Sequence, residues 1–148
     1  MIALGADHGG FKLKEEIKKY LDENEMKYKD FGTDSEERTD YPIYAEKVCK
    51  SIQEKKCESG ILICKSGAGM TIAANKFKGI RAALGFNKEV AGASKADDNI
   101  NVLVLCSEYM TVSQAVATVR VWLATPFKGG RYEDRLQMIE NIENNERK

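Results

Sequence analysis

Gly60-Ile61-Leu62-Ile63-Cys64-Lys65-Ser66-Gly67-Ala68-Gly69-Met70-Thr71-Ile72-Ala73-Ala74-Asn75-Lys76 reads as a buried strand, a turn of small residues and a helix, with a cysteine where the strand ends. Open α/β sheets place their chemistry at that carboxyl end. The turn carries too little side chain to cover its backbone. The N–H groups of Ser66, Gly67, Ala68, Gly69 and Met70 are therefore free to face a ligand at the positive end of a helix beginning near Ala68. Cys64 then stands beside an oxyanion site. The plainer alternative is a small apolar filler at a strand end, a use free cysteine often has.

Short apolar runs alternate with helical patterns on either side of this unit. Ile2-Ala3-Leu4 precedes Phe11, Ile17 and Leu21 set among lysines and glutamates, an amphipathic helix ending near Asn24, and Met26 to Phe31 alternates as a second strand. Tyr41-Pro42 opens a helix through Ile52. Ile61 to Cys64, Ile80 to Leu84 and Val102 to Leu105 supply three more strands, each followed by a helix. Runs this short and apolar predict a five-stranded parallel sheet covered on both faces, a three-layer α/β/α sandwich. Val112 to Leu123 gives the fifth helix. Tyr132 to Glu146 gives a charged last one with Leu136, Ile139 and Ile142 as its apolar face.

The chain has 148 residues, 43% apolar and 31% charged, enough for one good core and too few for two ordinary domains, so residues 1–148 are expected to form one domain. Its 23 basic and 23 acidic residues cancel without forming blocks, which argues against nucleic acid and membrane surfaces as partners. The start, Met1-Ile2-Ala3-Leu4-Gly5, lacks the basic and long apolar regions of a signal peptide, so a cytoplasmic protein is expected. Cys49, Cys57, Cys64 and Cys106 form no CxxC pair and have a single histidine for company, which suggests neither a metal site nor a disulfide framework.

Asp7-His8 after the first strand, Arg38 to Tyr41 after the second, Cys64 to Gly69 after the third and Asp97 to Asn99 before the fifth are expected to gather on one sheet edge. Asp7 has an ordinary alternative role as a helix cap. Gly129-Gly130-Arg131-Tyr132-Glu133-Asp134-Arg135 sets two guanidinium groups one helical turn apart behind a flexible double glycine, a spacing suited to a phosphate clamp. A solvated helix face compensated by Glu133 and Asp134 is the competing reading.

Together these segments resemble the family of type B ribose-5-phosphate isomerases and galactose-6-phosphate isomerase subunits. The resemblance runs through Gly5 to Lys14, Phe31-Gly32-Thr33, Glu37 to Pro42, Gly60 to Lys76, Gly79-Ile80-Arg81, Asn101-Val102-Leu103 and Gly129-Gly130-Arg131. It implies a Rossmann-like sandwich, no cofactor and no metal, and aldose–ketose interconversion of a sugar phosphate. It also implies a homodimer or dimer of dimers in which the C-terminal helix reaches the partner and each site is shared. Residue by residue, it implies Cys64 as the base, favoured as thiolate by the helix N-terminus and Lys65, and Ser66 as a hydroxyl relay between the two sugar oxygens. The N–H groups of Ser66 to Met70 would hold an enediolate. Asp7 and Tyr41 would contact sugar hydroxyls, Asn75 would shape the anion loop, and His8, Arg131 and Arg135 would bind phosphate.

The chain departs from the family pattern at four places. Asp97-Asp98-Asn99 stands where a His-Asn-Asp is usual, so Asp97 takes the place of the ring-opening histidine and would act as the acid if burial raised its pKa, with Asp98 and Asn99 as substrate contacts; the alternatives are that His8 or Asp7 opens the ring or that the substrate enters as the open chain. Glu108 replaces an arginine, Lys65 a glycine and Tyr132 a histidine. Ribose 5-phosphate is the expected substrate. A six-carbon sugar phosphate such as allose 6-phosphate or galactose 6-phosphate, an unphosphorylated sugar, or a non-catalytic sugar-phosphate-binding module remain the alternatives.

Overall fold

In the computed structural model, which describes residues 1–147, the elements follow in the order β1 (Ile2–Ala6), α1 (Phe11–Glu23), β2 (Tyr28–Asp30), α2 (Tyr41–Gln53), β3 (Ser59–Cys64) and α3 (Ala68–Ala74). They continue as β4 (Ala82–Leu84), α4 (Lys88–Asp98), β5 (Val102–Cys106), α5 (Val112–Ala124) and α6 (Arg131–Glu146). The strands form one sheet in the order β2-β1-β3-β5-β4, and every pairing is parallel. The chain runs outward from β1 to β2 and then crosses to β3 on the other side. β1 and β3 therefore flank the point where strand order reverses, in register from Ile2↔Ser59 to Ala6↔Ile63.

Alternation along the central strands divides the core in two. Leu62, Cys64, Val102 and Val104 face α2 and α3, packing with Val48, Cys49, Met70 and Ala74. Ile61, Ile63, Leu103 and Leu105 face the other side, against Leu13, Ile17 and Leu21 of α1, Ala91 of α4, and Val119 and Trp122 of α5. The three-layer sandwich expected from the apolar runs is the one observed. The outer strands differ from expectation in length: β2 and β4 have three residues each and lack buried positions, because a strand at the sheet margin is covered on fewer sides than a central one.

Helix α6 departs further. None of its residues is buried, and Ile139 and Ile142 remain 50% and 62% exposed, although Leu136, Ile139 and Ile142 make the apolar stripe that the sequence predicts. Its attachments are polar: Glu143 Oε1 accepts the Gly79 N–H at 2.9 Å, and Arg147 donates to the Asn75 carbonyl at 2.9 Å. Among the described residues, no helix is long and apolar enough to cross a membrane.

One buried charge holds the β2 margin. Lys14 is fully buried and donates to Asp30 Oδ2 at 2.6 Å, joined there by Lys18 at 2.9 Å. Burial pushes the Asp30 carboxyl up, but the hydrogen bonds from Lys14, Lys18 and the Gly32 N–H outweigh it and hold the group below its ordinary 3.8. Its contribution to stability is thus intact above that pH and fades as pH falls through the folded value. Lys14→Ala strands Asp30 beside a cavity, and a loss of about 2–3 kcal/mol in urea unfolding is expected, below the full cost of a broken buried pair because Lys18 and water still reach the carboxylate. Lys14→Met, which keeps the volume, should lose less. Equal losses would assign the effect to the lost ion pair and not to packing.

Candidate active site

Cys64 closes β3, 5% exposed and in register with Cys106 at the end of β5. The chain then turns through Ser66 and Gly67 into α3. Gly67 has φ +80°, and a Cβ on it would lie 2.4 Å from Leu84 Cδ1, so both backbone conformation and space call for glycine. The Ser66 hydroxyl accepts the Ala68 N–H at 3.2 Å and keeps its own hydrogen free to donate. Burial pushes the Cys64 thiol above its ordinary 9.0, while the backbone N–H groups of Met70, Gly67 and Ser66 favour the thiolate; Asp7 adds to the rise. The expected oxyanion loop is thus aimed at the cysteine sulfur itself.

Across the β1/β3 crevice, Asp7 is 8% exposed and its Oδ1 accepts the Gly10 N–H at 3.1 Å. It serves as local cap and as the carboxylate nearest Cys64 at once. His8 lies with Nδ1 3.2 Å from the Thr39 nitrogen and 3.1 Å from the Thr39 oxygen. That leaves Nε2 outward. Tyr41, at the start of α2, packs its ring on the anion loop: a Cβ on Gly69 would meet Tyr41 Cζ at 2.5 Å. Thr39 Oγ1 and Tyr44 Oη are 3.0 Å apart, and Ser107 donates to the Gly9 and Cys64 carbonyls at 2.7 and 3.3 Å. Neither Tyr44 nor Ser107 stood out in the sequence, where single hydroxyl residues carry no spacing signal.

Lys65 does not join the loop. Its stem crosses Gly9, whose Cβ would lie 2.6 Å from Lys65 Cγ. The residue lines an open groove of about 670 Å³ together with Glu15, Glu16 and Glu108. A lysine so turned does not account for the state of the Cys64 thiol, and Glu108 belongs to that groove. Asn75 is also a correction. It caps the far end of α3 and clasps β4, accepting the Ala82 N–H and donating to the Ala82 carbonyl, both at 2.9 Å. Seven helical residues separate it from the anion loop, about 10 Å along the axis.

The largest correction concerns Asp97, Asp98 and Asn99. They precede β5, as the sequence has them, but α4 runs antiparallel to the strands, so they lie at the amino edge of the sheet, about 17 Å from the Cys64 edge over five strand residues. Arg131 and Arg135 are there as well. Lys128 N–H donates to the Ala96 carbonyl at 2.9 Å, and Lys128 Nζ pairs with Asp97 Oδ1 at 2.8 Å. The Asp97 side chain is 39% exposed overall, with its buried Oδ1 ion-paired to Lys128, and an ammonium at that oxygen favours the ionised carboxylate over the protonated form an acid role requires. Tyr132 sits among cations, with Lys128 Nζ 4.9 Å, Arg131 Cζ 5.2 Å and Arg135 Cζ 5.3 Å from its ring centroid. Hydrogen bonds from Arg131 and Lys128 hold its phenol below the ordinary 10.0. The expected residues thus fall on opposite edges of the sheet: the thiol, the loop N–H groups, Asp7, His8 and Tyr41 on one, a cation cluster on the other.

Residues 2–139 match the family described as Ribose/Galactose Isomerase. The chain belongs to that family. Within the family, it is 42% identical to ribose-5-phosphate isomerase B of Escherichia coli over 142 residues, 96% of this chain and 95% of that one. Ribose 5-phosphate isomerase from Thermotoga maritima has the same fold with a TM-score of 0.93 at 44% identity, covering 95% of this chain and 97% of that one. Ribose-5-phosphate isomerase B from Mycoplasma genitalium, solved with bound ribulose-5-phosphate, gives 0.92 at 34% identity over 97% and 95%.

The packing of Tyr41 on Gly69 makes a direct test of the crevice. Gly69→Ala should displace the Tyr41 ring, with little change in unfolding temperature because the ring lies at the surface, 37% exposed. Sugar-phosphate binding, followed by calorimetry, should weaken about tenfold. Unchanged affinity would remove Tyr41 from the site.

Proposed function

We propose that this chain interconverts ribose 5-phosphate and ribulose 5-phosphate, with Cys64 moving the proton between C2 and C1. The observation that carries the reading is the placement of the Cys64 sulfur under the N–H groups of Ser66, Gly67 and Met70 at the β1/β3 switch point. Membership of the family and the likeness to a ribulose-5-phosphate complex support it.

The open-chain aldose presents a carbonyl at C1 and a hydrogen at C2. The Cys64 thiolate takes the C2 proton, the electron pair forms the C1–C2 double bond, and the C1 oxygen becomes the oxyanion that the loop N–H groups receive. Ser66, whose Oγ already accepts the Ala68 N–H, hands its hydrogen to O1 and takes the one on O2. The Cys64 thiol returns its proton to C1, leaving the carbonyl at C2. Asp7 and Tyr41 border the crevice where the sugar hydroxyls would lie, and His8 Nε2 faces the same space. No step requires a metal or an organic cofactor.

The phosphate is bound by Arg131 and Arg135. Since these lie on the sheet edge away from Cys64 of their own chain, the complete site combines the Cys64 edge of one subunit with the α6 end of another. The open apolar stripe of Leu136, Ile139 and Ile142 supports α6 as the element that reaches the partner. A two-fold dimer contains two such composite sites.

Cys64→Ala should abolish ketose formation from ribose 5-phosphate while leaving its binding in calorimetry nearly unchanged. Turnover by that variant would end the cysteine mechanism. Arg131→Ala should raise KM with little change in kcat, because a phosphate anchor acts alike in ground and transition states. At ribose 5-phosphate far below the raised KM, where both homodimeric variants are nearly silent, mixing them after dissociation should restore up to about a quarter of wild-type activity, since half of the dimers then carry one intact composite site. No restoration would place both half-sites within one subunit. Because burial holds the Cys64 thiol above 9.0, kcat/KM should still be rising with pH at that value. A plateau reached near neutrality would contradict Cys64 as the titrating base.

A further inference from the structure

The cation cluster at the start of α6 contains a third member, Lys128, beside the two arginines. Gly129 and Gly130 have φ of +69° and +58°, and this left-handed turn folds the chain back so that Lys128, before the turn, comes level with Arg131 and Arg135 after it. All three cationic groups lie about 5 Å from the centroid of the same Tyr132 ring. Asp97 Oδ1 lies 2.8 Å from Lys128 Nζ. Neither arginine has an ion-pair partner among the described residues, although Glu133 and Asp134 stand between them in the first turn of α6. Two guanidinium groups without ion-pair partners and an ammonium around one ring suit the dianion of a phosphate monoester.

A lysine on the exposed turn before α6 needs a partner to hold its ammonium in one place. Its backbone is fixed to α4 by the Lys128 N–H donating to the Ala96 carbonyl at 2.9 Å, but its side chain is 53% exposed and would wander without a partner. Asp97 supplies that partner from the last turn of α4. A carboxylate at this position makes physical sense as the group that holds an ammonium over Tyr132, beside the guanidinium pair. A mobile point charge is thereby preset as the third side of an anion cradle.

We propose that Lys128 is a substrate-phosphate ligand acting with Arg131 and Arg135, and that Asp97 is a positioning residue for Lys128 instead of the acid that opens the sugar ring. This rests on the reading of α6 as the phosphate-binding end of the isomerase site. The cluster selects the dianionic phosphate of the sugar over its unphosphorylated form.

Steady-state kinetics of the full-length protein with ribose 5-phosphate tests it. Lys128→Ala should raise KM about tenfold with kcat changed by less than about threefold. The inhibition constant of inorganic phosphate should rise in parallel, and Lys128→Arg should restore most of both. Asp97→Asn should raise KM by a smaller factor with kcat retained, and Lys128→Ala with Asp97→Asn together should be no worse than Lys128→Ala alone. An unchanged KM in Lys128→Ala would reduce the pair to a surface ion pair and overturn the assignment. A collapse of kcat in Asp97→Asn on the cyclic sugar, with normal turnover of an open-chain aldehyde, would restore Asp97 as the ring-opening acid. Binding of inorganic phosphate by calorimetry separates the two readings. If wild type binds phosphate and Lys128→Ala loses it while neither turns over ribose 5-phosphate, the isomerase reading fails and the anion site stands. Equal phosphate binding by both proteins overturns the anion site whatever the turnover.

Discussion

The carbonyls at the end of β3 are the points on which the catalytic edge is hung. The Ile63 oxygen receives the Asp7 N–H at 3.3 Å, and Gly10 approaches the same oxygen so closely that an added Cβ would lie 2.3 Å from it. The next carbonyl, that of Cys64, receives the Ser107 N–H at 2.9 Å and its hydroxyl at 3.3 Å, and the same hydroxyl also reaches the Gly9 carbonyl. The loops after β1 and β5 are thereby indexed to two consecutive peptide units at the end of β3. The geometry of Asp7, His8 and Cys64 is inherited from sheet register, which is stiff, rather than from side-chain packing, which is softer. A bulky residue at Gly10 would separate β1 from β3 and spoil the site before it spoiled the core.

The same parallel register explains why one chain carries the chemistry in halves. All five strands point the same way, so every residue that follows a strand lies on one edge and every residue that precedes one lies on the other. No local rearrangement brings the end of α4 to the end of β3 across a sheet whose faces are covered by helices. An enzyme built on this plan needs either a long return loop or a second copy. Helix α6 suits the proposed second copy: it is long, held at its margins by polar contacts, and leaves Ile139 and Ile142 exposed. Isolated, such a helix gives little stability to its own chain. Its apolar stripe gains value only when another surface covers it.

Strand count, layer order and the placement of Cys64 and its loop were legible in the sequence because each has a periodic or compositional trace. Buried central strands read as unbroken runs such as Ile61-Leu62-Ile63, and the small-residue turn before Met70 leaves no alternative to an exposed backbone. Edge membership was misread for Asp97 to Asn99 because their nearness to β5 in sequence says nothing about which end of the strand they occupy unless the direction of α4 is followed. Asn75 misled for a related reason: seven residues of helix carry it to the far edge. The roles of Ser107 and Tyr44 had no trace, since a hydroxyl gains its partner from tertiary contact alone. Lys65 was legible as an exposed lysine, but its direction depends on Gly9, more than fifty positions earlier, leaving room for its stem.

The protonation balance at Cys64 links these layers. Burial favours the thiol and the loop N–H groups favour the thiolate, so the group rests in its inert form while the crevice is open to water and Asp7 faces it. A substrate that fills the crevice changes both sides of that balance. On the proposed reading, sugar hydroxyls would give Asp7 new hydrogen bonds that spread the carboxylate charge, and the cation cluster would hold the phosphate and so keep C2 near the sulfur. That anchor would act alike on ground and transition states, which makes its contribution one of affinity. An unphosphorylated sugar that entered the crevice would meet the same loop and the same cysteine, but without the anchor that holds its carbon against a reluctant base.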